Sequence, residues 1–210
     1  MDSKSQSSFD VQRRAHCSRR LSLLTTKTDY RIRLNGKLTA PETSRFNTTT
    51  EGKDEVEPIG TIHSPFTDVA NMPIQPHGAA DVEGTVHIWE SYVEGLKDLE
   101  GFSHIYLIYL FHKAERISLT VTPFMDATVR GVFATRSPLR PNHIGLSIVQ
   151  LVKIENGILT VKGVDVLDGT PLLDIKPYIR NFDSVEKSLS GWMVASKDEV
   201  AKKRSDGRFK

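Results

Sequence analysis

The sequence predicts a mainly β protein, a small single-domain β-barrel with few short helices and a disordered N-terminal extension. Apolar residues recur with a period of two in about six short segments, which turn-forming residues separate. Helical periodicity is scarce, and strands do not alternate with helices as they do in a parallel βαβ sheet. Many short strands with so few helices favour a small barrel.

The N-terminal region differs in composition from the rest of the chain. Residues 1–40 contain nine Lys or Arg against three acids, with abundant Ser and Thr. The hydrophobic pattern starts only near Pro58. We therefore expect a disordered basic extension over residues 1–55, the barrel domain over 56–195 and a charged tail over 196–210. An Arg- and Ser-rich, acid-poor N-terminus also fits an organelle transit peptide, which stays open as an alternative to cytoplasmic localisation.

The predicted strands follow one another through the domain. The first begins at Ile59, whose side chain shares one face with Thr61 and His63. Residues 84–89 alternate in the same way, and residues 103–111 are nearly all apolar or aromatic, as expected for a central strand covered on both faces. Further strands are predicted at 119–122, 130–135, 144–155 and 158–166, the last two joined by a tight Asn156-Gly157 hairpin.

Helices are predicted only at residues 90–99 and 193–203. No apolar stretch approaches the ~20 residues that a membrane helix needs, so we expect a soluble protein. The single cysteine, Cys17, cannot form an internal disulfide, which indicates a reducing compartment. Seven histidines show no metal-binding spacing, so no metal is expected. The formal net charge of +2 permits a polyanionic partner without requiring one.

The most polar segment between two predicted strands is residues 131–147. Pro138 and Pro141 fix two backbone torsions there, so Arg136 and Arg140 would project from a stiff loop. Arginines held in this way suit a phosphate or a carboxylate. From the residues alone, an ordinary surface turn with solvated arginines is the favoured interpretation.

A second polar segment, predicted as a loop, is residues 165–178. It brings Asp165, Asp168 and Asp174 close together in sequence, and Asp168-Gly169 is a turn signal. Asp168 could bind ligand hydroxyls or amines, or could merely bond its own backbone in a β-turn. Clustered aspartates also leave a hydrolase as an alternative.

Several motifs in these and neighbouring segments carry a resemblance. They are GVFATRSP at 131–138, RPN at 140–142, IGLS at 144–147, DGTP at 168–171 and DIKPY at 174–178, with support from GTIHSP at 60–65, PIQ at 73–75 and GFSH at 101–104. Together these motifs resemble those of the TrmO family (TsaA- or YaeB-like) of S-adenosylmethionine-dependent tRNA (adenine-N6)-methyltransferases, over about residues 59–195. One departure is His143, where the family pattern has proline, a change expected to loosen the loop.

The resemblance implies a single β-barrel that works as a homodimer, with S-adenosylmethionine bound near the subunit interface. The implied substrate is N6-threonylcarbamoyl-adenosine at position 37 in the anticodon loop of tRNA, which gains a methyl group on its exocyclic nitrogen. Such a barrel lacks the glycine-rich motif of Rossmann methyltransferases, as this sequence does. A noncatalytic module that senses S-adenosylmethionine or binds RNA on the same barrel is the alternative.

The resemblance also assigns residues to the site. Arg140, Lys176 and Tyr178 are expected to face RNA phosphate or the threonyl carboxylate. The catalytic proton acceptor is unknown, with Asp168, Tyr178 and a backbone carbonyl as candidates. The implied cofactor contacts are Pro73, Ile74, Gln75, His112, Lys113, Arg136, Leu146, Leu167, Asp168, Gly169 and Thr170.

Overall fold

A computed structural model describes residues 56–209 of the chain, so the predictions for residues 1–55 lie outside the described part. Six antiparallel strands close into a barrel in the order β1-β2-β7-β6-β3-β8, which confirms the predicted fold class. The barrel strands are β1 Gly60–His63, β2 Glu83–Ile88, β3 His104–Leu110, β6 Ile144–Glu155, β7 Ile158–Lys162 and β8 Thr170–Pro177, while β4 Thr120–Val121 and β5 Arg130–Gly131 form a separate two-stranded sheet.

The barrel interior is filled by alternate side chains of the six strands. Each fully buried branched side chain contributes roughly 1.5–3 kcal/mol relative to an exposed one. On β1 the buried face carries Gly60 and Ile62, so the face that Thr61 and His63 share points away from the core. Side chains with at most 1% exposure inside the barrel include Ile62, Val86, Ile105, Leu107, Val149, Leu159, Val161 and Leu172.

The hairpin between β6 and β7 has the predicted turn. Asn156 and Gly157 adopt φ angles of 50° and 77°. Both lie in the left-handed region that a two-residue hairpin of the primed type requires, and Asn and Gly are the residues that tolerate it best. The long strand β6 is thereby paired with β7 on one side and with β3 on the other.

Strand β8 is the main feature that the sequence analysis missed, since residues 165–178 were predicted to be a loop. β8 pairs with both β1 and β3 and so closes the barrel. The sequence does not predict this strand because it contains Pro171, Asp174 and Lys176, and prolines and charged residues are usually depleted in strands. The buried side chain of Leu172 outweighs that local preference.

Other departures concern the ends of elements. The predicted strand 130–135 reduces to β5, followed by a 3-10 turn over Val132–Ala134. The helix predicted at 90–99 is instead two 3-10 helices, Glu90–Leu96 and Leu99–Gly101. β7 ends at Lys162 because Gly163 turns the chain with a φ of 89°.

Two short α-helices follow the barrel, α1 Arg180–Asp183 and α2 Lys197–Lys202. α2 lies within the predicted helix 193–203 and begins with a capping box, in which the side chains of Ser196 and Glu199 satisfy each other's backbone amides. In the part of the chain that is described, no helix combines the length and the hydropathy needed to cross a membrane.

Candidate functional site

A cavity of about 1320 Å³ lies at the end of the barrel where β3 ends and β6 and β8 begin. Four stretches of chain form most of its wall: residues 72–77, 109–114, 133–142 and 165–170. Ligand pockets usually measure roughly 300–1,000 Å³. The cavity therefore has room for more than one small ligand.

Most of the residues expected to contact a cofactor meet at this cavity. Asp168 and Gly169 are not part of its wall, but they form the turn between Leu167 and Thr170, which are. Arg140, expected to face substrate, also lines the cavity. The expected cofactor residues in the wall are Pro73, Ile74, Gln75, His112, Lys113, Arg136, Leu146, Leu167 and Thr170.

Arg136 joins two of the four stretches. Its Nη1 donates a hydrogen bond of 2.8 Å to Oε1 of Gln75, which lies 61 positions earlier in the chain. The loop that carries Arg136 is held by its own side chains, because the Thr135 hydroxyl accepts from the Ser137 amide and the Ser137 hydroxyl accepts from the Leu139 amide. The loop is stiff, as its prolines predict.

Arg140 is bound within the same loop. Its Nη1 donates to the carbonyl oxygens of Thr135, at 2.8 Å, and Val132, at 3.4 Å, and its guanidinium lies 5.8 Å from the centre of the Phe133 ring. These contacts fix the guanidinium in place. Since it still borders the cavity, Arg140 can present a rigid positive charge to a ligand.

His143 occupies the position where the family pattern has proline. Its φ of 50° is closed to proline, whose ring fixes φ near −65°. The ring Nδ1 lies 2.8 Å from the carbonyl oxygen of Pro138 and donates to it. The histidine therefore bonds the loop together, in contrast to the expected loosening.

Asp168 has its own set of partners beside the cavity. Its Oδ1 lies 2.9 Å from Nδ1 of His63 and accepts from the Ser64 amide at 3.2 Å. Burial raises the pKa of the Asp168 carboxyl, but these hydrogen bonds lower it by more, so the net shift is downward. Asp168 is therefore ionised at neutral pH.

His112 lines the cavity next to Lys113. Burial lowers the pKa of the imidazole, and the positive charge of Lys113 lowers it further. At neutral pH His112 is therefore an uncharged group. Its Nδ1 lies 3.4 Å from the hydroxyl of Thr170, which donates to the Leu167 carbonyl.

Lys176 and Tyr178 lie elsewhere. Lys176 lies near the far end of β8 and Tyr178 follows that end, so eight residue steps of about 3.3 Å place Tyr178 roughly 26 Å along the strand direction from Thr170. Lys176 pairs with Asp174 at 2.9 Å, and the Tyr178 ring packs 5.8 Å from that of Tyr106. One chain alone does not bring these two residues to the cavity.

The sequence analysis assigned no role to the C-terminal segment, residues 192–209, which supplies part of the cavity wall. Trp192 lines the cavity, and its Nε1 donates to the Ala134 carbonyl at 2.8 Å. Phe209 lines it too and packs against Phe124 with ring centres 4.8 Å apart. No local signal in the sequence links residues so far apart.

The same segment is bound to the stretch that precedes Gln75. Ser205 accepts from the Met72 amide through its hydroxyl, at 2.9 Å, and donates that hydroxyl proton to the Val69 carbonyl. Arg204 forms an isolated β-bridge with Pro73. The structure thus docks much of the predicted tail beside the cavity.

Comparison with known proteins fits this geometry. The sequence model of the tRNA-methyltransferase O N-terminal domain matches residues 61–184, more than half of the chain. The chain belongs to the TrmO family. This confirms the resemblance noted from the motifs, and the match ends before the C-terminal segment that lines the cavity.

Individual relatives agree with the family assignment. A probable S-adenosyl-L-methionine-binding protein of Pyrococcus abyssi is 53% identical over 72% of this chain and 83% of its own length. A human tRNA (adenine(37)-N6)-methyltransferase is 38% identical over 61% of this chain. These names agree with the cofactor and the enzyme class that the resemblance implies.

Solved structures show the same fold. The crystal structure of TrmO from Pseudomonas aeruginosa matches with a TM-score of 0.57 and 40% identity over 69% of this chain. The match spans 64% of that protein, and the match to the human enzyme spans 31% of its length. This TrmO family chain therefore corresponds to only part of some of its relatives.

Between residues 56 and 209, no three His, Cys, Asp or Glu side chains are grouped so that they could hold a metal ion.

Proposed function

We propose that this protein transfers a methyl group from S-adenosylmethionine to the exocyclic nitrogen of N6-threonylcarbamoyl-adenosine at position 37 of tRNA, in the cytoplasm. The observation that carries the proposal is the single cavity wall formed by Gln75, His112, Arg136 and Thr170, which come from four separate stretches of the chain. The relatives' names support both the cofactor and the tRNA substrate.

The chemistry of the wall fits this cofactor. S-adenosylmethionine carries a carboxylate, an ammonium group, an adenosine and a cationic sulfur. Arg136 can pair with the carboxylate, and Gln75 can bond an adenine edge or a ribose hydroxyl. Leu146 and Phe133 offer apolar surface to the remainder. Further positive charge from Arg140 and Lys113 suits an RNA phosphate at the same cavity.

The bound cofactor would supply a methyl group already activated by its positively charged sulfur, so no strong side-chain nucleophile is needed. What the protein must supply is alignment, which can account for about 7–11 kcal/mol of a barrier. The stiff loop that carries Arg136 and Arg140 suits this task. Asp168, ionised and next to the cavity, is the nearer of the two side-chain candidates for the proton acceptor within one chain.

We also propose that the protein works as a homodimer that covers the outer face of β6. Ile144, Leu146, Ile148 and Val152 alternate along that face and are 40–51% exposed. Three of them also border the cavity, so a second subunit on this face would complete its wall. Replacing Ile148 by Asp should give monomers in light scattering, while the exposed Val185→Asp should leave the dimer intact.

The direct test is methyl transfer from labelled S-adenosylmethionine to tRNA carrying threonylcarbamoyl-adenosine. Arg136→Ala should reduce kcat/KM by at least about tenfold, because it removes a charge-assisted contact and the bond to Gln75. Lys153→Ala is the matched control, since Lys153 lies near the far end of β6 and pairs locally with Glu155.

Two results would revise the proposal. Methylation of tRNA that lacks the threonylcarbamoyl group, with none of the modified tRNA, would change the substrate. Binding of S-adenosylmethionine without methylation of any tRNA would replace the enzyme by a cofactor-sensing module. Mass spectrometry of tRNA nucleosides from cells lacking the protein should show loss of the methylated threonylcarbamoyl nucleoside.

A further inference from the structure

Asp165 is an acidic side chain in the cavity wall to which the family resemblance assigns no role. It follows β7 and lines the cavity together with Leu146 and Leu167. Asp165 is largely buried in protein and exposed only in part, and Asp206 is the other carboxylate in that wall. A carboxylate removed from water is costly unless hydrogen bonds or a positive charge compensate it.

The hydrogen bonds around Asp165 run in one direction. The hydroxyl of Ser147 donates to Oδ1 of Asp165 at 2.7 Å, so Ser147 must accept from Tyr109, whose hydroxyl lies 3.0 Å away. Burial raises the pKa of Tyr109, which keeps that hydroxyl protonated as a donor. This series of hydrogen bonds from Tyr109 through Ser147 thus ends on the Asp165 carboxylate and fixes its orientation.

The charge state of Asp165 follows from its surroundings. Burial raises the pKa of the carboxyl to about 6, against the opposing effects of the Ser147 hydrogen bond and the positive charge of Arg136. At pH 7.5 Asp165 is therefore ionised, and the burial of its negative charge has a free-energy cost. A cationic ligand in the cavity would remove that cost.

Arg136 and Asp165 give the cavity one positive and one negative group. Arg136 already donates a hydrogen bond to Gln75. The two side chains therefore complement a ligand that carries charges of both signs. The methionyl part of S-adenosylmethionine is such a ligand, with a carboxylate beside an ammonium and a sulfonium.

We infer that the Asp165 carboxylate binds the positively charged part of the methyl donor and makes the site select a cationic ligand. This inference rests on the proposed function, because it assumes that S-adenosylmethionine occupies the cavity. Methyl transfer removes the charge on sulfur, so the product would be held less tightly than the donor. Asp165 would then favour binding of the donor and release of the product.

The test compares calorimetric dissociation constants of three ligands at pH 7.5. S-adenosylmethionine has both positive charges, S-adenosylhomocysteine has only the ammonium, and methylthioadenosine has neither. Asp165→Asn should raise the dissociation constant of S-adenosylmethionine by about 10- to 100-fold and that of methylthioadenosine by less than about threefold. Asp98→Asn is the control, since Asp98 is exposed near the opposite end of β3 and its left-handed φ of 67° suits asparagine.

Each pattern has a distinct meaning. A loss of affinity for S-adenosylmethionine alone assigns Asp165 to the sulfonium and supports its role in release of the product. Equal losses of affinity for S-adenosylmethionine and S-adenosylhomocysteine assign Asp165 to the ammonium and contradict that role in release. An unchanged constant for the donor, or an equal loss for methylthioadenosine, would overturn the inference and leave the proposed function standing. Failure of the wild-type protein to bind any of the three would instead overturn the proposed function.

Ser147→Ala provides a second test that keeps the carboxylate. Tyr109 and Arg136 interact electrostatically with Asp165, and His112, Lys113 and Arg140 line the same cavity. Wild-type affinity for the donor should fall as the pH drops through about 6, and Asp165→Asn should lack that part of the profile. Removing the Ser147 bond should move the midpoint to higher pH, and an unmoved midpoint would contradict the inference.

Discussion

Replacing Gly145 by alanine tests whether the barrel and the site depend on one close contact. Gly145 lies directly opposite Tyr109 in the β3–β6 ladder, and the tyrosine ring covers the space where a Cβ would stand. An ideal Cβ at this position would lie 2.2 Å from Cε2 and 2.5 Å from Cζ of the ring. Ordinary carbon contacts begin near 3.5 Å, so the ring must move by about 1 Å.

The expected cost has two parts. Overpacking in a core costs about 1–3 kcal/mol, and a displaced Tyr109 would lose its hydrogen bond to Ser147, worth about 0.5–1.5 kcal/mol. For a chain of this size, a total of about 2–4 kcal/mol lowers Tm by roughly 5–15 °C. Thermal unfolding followed by circular dichroism measures the shift.

Two controls separate this clash from a general effect of alanine. Gly95→Ala should change Tm little, because nothing lies within 4 Å of its Cβ position. In a Tyr109→Ala background the space is open, so Gly145→Ala should then cost less than about 0.5 kcal/mol. An equal cost with and without the tyrosine ring would show that the methyl group does not meet that ring.

Three further predictions concern the site. Ser205→Ala removes hydrogen bonds to the 69–73 stretch and should cost about 1–3 kcal/mol in thermal unfolding, with weaker donor binding in calorimetry. Folding raises the pKa of Asp165 to about 6, so the free energy of unfolding falls as the pH rises from about 4 to about 6. Without ligand at pH 7.5, Asp165→Asn should therefore be more stable than wild type by up to about 3 kcal/mol in thermal unfolding. Below about pH 4 the two proteins should be equally stable. If the dimer shares its sites, mixing the impaired Arg136→Ala and Tyr178→Ala chains should restore part of the methyl transfer, and a mixture no more active than its components would refute sharing.

Sequence patterns predict the parts of the fold whose conformation is determined by residues adjacent in the sequence. The Asn156-Gly157 turn follows from two residues that tolerate positive φ, and alternating burial in β6 follows from its period of two. The residues of β8 do not themselves favour a strand, because proline and aspartate, here Pro171 and Asp174, have low strand propensity. Pairing with two neighbouring strands outweighs that preference.

The site shows the same division. Motifs identify the loop of Arg136 and the turn of Asp168, but the involvement of Trp192 and Asp165 depends on tertiary contacts. Trp192 meets a carbonyl 58 positions earlier in the chain. No spacing rule covers such a contact, and Asp165 becomes distinctive only when its burial is known.

Barrel closure itself creates part of the site. β1 pairs with β8 in a register that places Ile62 opposite Thr170, and one step further along β1 lies His63, which bonds Asp168. The strand that closes the barrel therefore also sets the position of Asp168 beside the cavity. Because Thr170 begins that strand and lines the cavity, a slip of one residue in the register would expose buried Leu172 and displace the turn together. Fold stability and site geometry thus depend on the same pairing.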